Sequence, residues 1–69
     1  SLKEWLENHE DVSLYDNVYL FDIRHVEINI NNYDEEEQEE IMNSEVISQE
    51  VYKDDCFVSY ELMLDVLKL

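Results

Sequence analysis

Sixty-nine residues hold one domain, 1–69, and a chain this short buries only about 60% of its unfolded surface, which leaves little room for an enclosed catalytic pocket. Nineteen acids against four basic residues give a formal charge of −15, which argues against direct binding of nucleic acid or anionic membrane, since only Lys3, Arg24, Lys53 and Lys68 could meet phosphates. An apolar fraction of 45%, with five Tyr, two Phe and one Trp, is too high for a disordered chain, so a folded core is expected.

Ser1 to Asn8 predicts a short helix. Ser1 and Glu4 have capping-box spacing, and Leu2, Trp5, Leu6 and His9 share one face, with Trp5 the expected packing anchor. Glu10 to Tyr15 alternates weakly and fits a short strand or a loop. Val18 to Ile30, VYLFDIRHVEINI, is the densest strand-like stretch. Val18 and Leu20, then Val26, Ile28 and Ile30, alternate with their neighbours around an interruption at Asp22 to His25, which predicts a hairpin.

The chain has no Gly and no Pro, so its turns must rely on Asn and Asp, and Asp16-Asn17, Asn31-Asn32 and Asp54-Asp55 fit that role. The run Glu35-Glu36-Glu37-Gln38-Glu39-Glu40 predicts an acidic helix. Asn32 and Glu35 repeat the cap spacing, the first-turn carboxylates suit the helix dipole, and only Tyr33, Ile41 and Met42 can dock it. Glu45 to Tyr52 reads as a slightly irregular strand, Lys53-Asp54-Asp55 as its turn, and Cys56 to Tyr60 as the return strand of a second hairpin. The apolar tail Leu62 to Leu69 fits either a short C-terminal helix, the preferred reading, or a strand extension, and offers a surface for a homodimer. The expected fold class is therefore α+β: a short N-terminal helix and two hairpins in a small antiparallel sheet, with the acidic helix between them.

Catalytic chemistry has little support in the pattern. His9, His25 and Cys56 fall in no arrangement that pairs a nucleophile with a base, so the chain is not expected to be an enzyme. The acidic run lacks the loop of an EF-hand, and neither a metal nor another cofactor is expected. The lone Cys56 reads as a buried core thiol in a reducing compartment. With no secretory apolar core and no apolar run near 18 residues, a cytoplasmic location in a bacterial host is expected.

The segments LKEWL at Leu2 to Leu6, VYLFD at Val18 to Asp22, VEI at Val26 to Ile28 and SEVIS at Ser44 to Ser48 resemble small acidic proteins of phages and prophages of Gram-positive bacteria. The likeness covers about two thirds of the chain, which departs from the pattern by carrying Asp22-Ile23-Arg24-His25 where those proteins often turn on Asp-Gly or Asn-Gly. It implies an α+β fold and a mobile-element setting, and brings no catalytic residues. In composition the chain is also similar to anti-CRISPR and other counter-defence proteins.

Carboxylates spaced by helical turns recur about every 5 to 6 Å, close to the repeat of phosphates along one strand of nucleic acid. The expected function is an acidic nucleic-acid mimic that inhibits a host defence nuclease such as a CRISPR effector by occupying its basic site, with Asp34, Glu35, Glu36, Glu37, Glu39 and Glu40 as phosphate mimics and Tyr33 as an aromatic anchor. Two alternatives compete with it: an immunity or antitoxin-like inhibitor of a toxic nuclease, and a small structural or dimeric phage assembly protein.

Overall fold

The computed structural model describes residues 1–14 and 16–66. Its elements are helix α1 (Leu2–Glu7), strands β1 (Val18–Phe21) and β2 (Glu27–Ile28), a 3₁₀ turn at Ile30–Asn32, helix α2 (Glu35–Asn43), and strands β3 (Val46–Asp54) and β4 (Phe57–Leu64). The strands form one sheet in the order β2-β1-β4-β3. The fold is thus a small α+β domain, and no helix among the described residues is long and apolar enough to cross a membrane.

Six residues are too few to hold a helix by themselves. The Ser1 hydroxyl caps α1 by accepting the Glu4 N–H at 3.3 Å, and the Leu2 N–H donates to the Ser44 carbonyl at 2.8 Å, tying the helix to the segment that enters β3. Leu2 is fully buried. Trp5 packs half-buried against the core, stacked on His9 at 3.9 Å and edge-on to Tyr60 at 5.1 Å, while its indole N–H donates to Gln49 Oε1 at 2.7 Å. Residues 10–14 form no strand and run as a loop, with Val12 and Leu14 packed against the core.

The sheet is mixed, which corrects the antiparallel arrangement expected from the alternation. β1 pairs antiparallel with β2 and β4 with β3, but β1 and β4 lie parallel in register Val18↔Tyr60, Leu20↔Leu62 and Phe21↔Met63. Burial explains the order. β4 carries Leu62 and Leu64, both fully buried, whereas no residue of β3 is buried, so β4 takes the centre and the charged β3 takes the edge. Leu20, Ile28, Leu62 and Leu64 then share one face with Leu2, Ile30, Ile41 and Val66 in a single apolar layer.

Two further corrections concern the C-terminal half. The tail continues as strand to Leu64 rather than as a helix; Leu62, Leu64 and Val66 are buried within the chain, while Met63 lies half-buried on the opposite face of the sheet. Residues 67–69 lie outside the described set. Cys56 is exposed, not a core thiol, because the register Asp54↔Phe57 leaves Asp55 and Cys56 as the two-residue tip of the β3-β4 arm. The irregularity read in β3 is a bulge: between Val46 and Ser48 the register shifts, which throws Ile47 out to solvent at 51% exposure while Val46 stays on the core side.

The link between β1 and β2 turns without glycine. Asp22, only 5% exposed, accepts the Arg24 and Val26 N–H groups on Oδ1 at 2.8 and 3.1 Å, and Arg24 Nη2 on Oδ2 at 2.7 Å, so its carboxylate is the template of the turn. His25 takes the left-handed conformation, φ 64°, that glycine usually supplies. The Arg24 side-chain hydrogen bond is the main force holding the Asp22 carboxyl below its ordinary value, with the backbone N–H groups assisting against partial desolvation. A carboxyl depressed in the folded state stabilises above its unfolded pKa, near 4, and that contribution is lost as pH falls through the folded value. Asp22→Asn is therefore expected to lower the melting temperature at pH 7 by roughly 5 to 10 °C, with the gap to wild type closing below about pH 4. Calorimetry across that range checks it.

Candidate functional site

α2 begins where Asp34 caps it, its Oδ1 accepting the Glu37 N–H at 2.9 Å. The cap is therefore Asp34, not Asn32; the latter ends the 3₁₀ turn, whose own cap is Asn29. The helix is tied down by Ile41, fully buried, by Tyr33 and Met42 packed against the core, and by a contact that hydrophobic periodicity does not register. Gln38 Nε2 donates to the Ile30 and Tyr33 carbonyls at 3.1 and 2.8 Å.

Those anchors orient the carboxylates. At 100° per residue Gln38, Ile41 and Met42 occupy one side, and Glu35, Glu39, Glu36 and Glu40 fall side by side on the other, all exposed. They make two rows, Glu35/Glu39 and Glu36/Glu40, each spanning one helical turn of about 6 Å. Glu37 sits at the border of the docked side and is half-buried, Asp34 has one oxygen committed to the cap, and Tyr33 is half-buried under the helix start. Of the seven residues expected from sequence, four form a continuous exposed surface and three border or support it.

Among the described residues no cation pairs with this surface. Among the described residues the ion pairs are Arg24 with Asp22 at 2.7 Å and the N-terminal amine with Glu4 at 3.6 Å, and the side chains of Glu35, Glu36, Glu39 and Glu40 have no hydrogen-bonding partner. Such a surface holds its carboxylates fixed by a folded helix and electrically free, which suits it to meeting Lys and Arg on another molecule.

A second acidic feature lies on the sheet face away from the helices, and sequence reading did not find it because it depends on strand pairing. Glu50 of β3 stands directly opposite Glu61 of β4. Like charges in that position are destabilising. The Tyr52 hydroxyl donates to Glu50 Oε2 at 2.6 Å, and that bond, with the charges of Glu50 and Glu61 behind it, pushes the phenol up to about 12. A group raised in this way stabilises the fold fully below its unfolded pKa, near 10, and that contribution is lost as pH climbs through about 12. Glu50→Gln should bring Tyr52 back by about one unit or more towards 10, read from phenolate absorbance against a Tyr52→Phe control.

No family model, curated protein or solved structure matches the chain.

Proposed function

We propose that this chain is an acidic inhibitor that mimics nucleic acid, engaging the basic groove of a host defence nuclease of the CRISPR-effector kind on behalf of a phage. The observation that carries this reading is the exposed double row Glu35/Glu39 and Glu36/Glu40, unpaired by any cation among the described residues and backed by a formal charge of −15. A compact domain maintains that charge against its own repulsion, and the energetic return comes on contact with a basic surface, where counterions are released as they are from DNA.

The mechanism is steric and electrostatic. The α2 face presents its carboxylates at helical-turn spacing to side chains that ordinarily grip phosphates, and Tyr33, half-buried at the helix start, supports the rim. Binding and nucleic acid are then mutually exclusive. The test is capture from host lysate on the tagged protein at about 50 mM and 500 mM salt, followed by elution with duplex DNA. A basic nuclease complex retained at low salt and released by both high salt and DNA is the expected result; a captured protein that DNA fails to displace would refute mimicry.

A further inference from the structure

We infer that the uncovered face of the sheet is a second binding site, built to take an arginine side chain of a protein partner. The helices and the apolar layer occupy one side of the sheet, and the strand registers place Tyr19, Phe21, Glu27, Glu50, Tyr52, Glu61 and Met63 on the other. No described element packs over them. Across the centre of this face runs a shallow cleft of about 150 Å³ whose walls include Phe21, His25, Ser48, Glu50, Glu61 and Met63.

Three features select the occupant. Glu50 and Glu61 face each other across adjacent antiparallel strands, a separation of about 5 Å between Cβ atoms that lets both carboxylates reach one guanidinium. Tyr19 pairs in register with Glu61 and Phe21 with Met63, so aromatic rings stand beside the carboxylates where a flat cation stacks. Tyr52 holds Glu50 in place through its hydroxyl, fixing one carboxylate before any ligand arrives.

Charge decides between candidate partners. A second copy of a chain carrying −15 is repelled, and nucleic acid or anionic lipid is repelled for the same reason, whereas a guanidinium relieves the Glu50–Glu61 repulsion that the fold otherwise bears. Arginine is favoured over lysine because its planar fork spans two carboxylates and stacks on a ring, which a point-like ammonium does less well. The α2 carboxylates point away from the sheet on the other side of the apolar layer, so this site is separate from the acidic helix and does not depend on the function proposed for it.

The probe is N-acetyl-arginine amide, titrated into the isotope-labelled protein at low salt and followed by two-dimensional NMR, with N-acetyl-lysine amide as the comparison. Shifts centred on Phe21, Glu50, Glu61 and Met63, with arginine binding several-fold tighter than lysine, are expected. The double variant E50Q/E61Q should weaken arginine binding about tenfold and E61Q alone by about threefold, while E35Q/E36Q/E39Q/E40Q leaves it within about twofold. E61Q removes the repulsion and leaves the Tyr52–Glu50 hydrogen bond in place, so it should melt no lower than wild type, which separates lost binding from lost folding. Shifts spread evenly over all acidic segments, equal affinity for the lysine amide, or an E50Q/E61Q affinity equal to wild type would each overturn the proposal. Capture of a nuclease through α2 is read independently, so failure at the sheet does not count against the helix.

Discussion

Replacing Leu62 by alanine is expected to remove about half of the stability of this fold. Leu62 is fully buried in the central strand, in register with Leu20 on one side and Gln49 on the other, and shares the apolar layer with Leu2, Ile41 and Leu64. Truncating a buried leucine costs about 2 to 5 kcal/mol, through lost burial and the cavity left behind. A chain of this length has roughly 3 to 10 kcal/mol in total. The loss therefore takes on the order of half of the available stability. Trp5 reports it directly, because its ring is stacked on His9 and edge-on to Tyr60 only while α1 stays docked. Urea titration of Trp5 fluorescence should show the L62A midpoint at roughly half the wild-type urea concentration or lower. Val26→Ala, at a side chain 54% exposed, should stay within about 0.5 kcal/mol of wild type. An L62A midpoint close to that of V26A would mean that the apolar layer is not what holds the sheet.

Neutralising the outer face of α2 should move binding and stability in opposite directions. In E35Q/E36Q/E39Q/E40Q the capture of a basic nuclease at about 50 mM salt should fall roughly 100-fold, since four charged contacts of about 0.7 kcal/mol each disappear. The salt dependence of what remains should flatten by about three to four in log–log slope. Stability responds differently at the two ends of the helix. Glu35 and Glu36 lie in the first turn, where the dipole favours anions, so E35Q/E36Q is expected to be neutral or slightly destabilising. Glu39 and Glu40 lie towards the C-terminal end and repel Glu35, Glu36 and Glu37 at i−3 and i−4, so E39Q/E40Q should stabilise by about 1 kcal/mol at low salt, with the gain shrinking as salt is added. Paired melts at two salt concentrations measure it. A gain in stability for E39Q/E40Q would support the proposed role of this face in meeting a partner; E39Q/E40Q that fails to raise stability would remove that support.

Which residues of α2 could meet a partner was legible because helical periodicity, a local property, sorts Ile41 and Met42 from Glu35, Glu36, Glu39 and Glu40. Two assignments needed the fold. Asp34 stands among the acids in sequence, but its backbone is extended and its side chain caps the helix, so only part of it is free. Gln38 looks like one more polar residue in the run, yet it docks the helix through two carbonyls of the 3₁₀ turn. Neither role leaves a signal in hydrophobic spacing.

The turn at Asp22 was hidden for a related reason. In a chain without glycine, the left-handed position falls to His25, and the cost is met by a carboxylate that gathers two backbone N–H groups and a guanidinium. The exposure of Cys56 followed from where the turn falls: Asp55 and Cys56 form the tip of the β3-β4 arm, beyond the apolar layer, a placement that the usual preference of a lone cysteine for the core does not reveal.

Composition and local pattern by themselves determined that the chain folds, that it is α+β, and that a short helix opens it and a second helix precedes the last two strands. These depend on sums and short periods, which require no knowledge of what packs on what. Strand order was decided only by the tertiary structure, because Leu62 and Leu64 are buried best when β4 enters the centre parallel to β1, a pairing between segments some forty residues apart. The β3-β4 pairing set Glu50 against Glu61 on the open face, and the central place of β4 seated Leu62 and Leu64 in the core, with Val66 buried just beyond the strand.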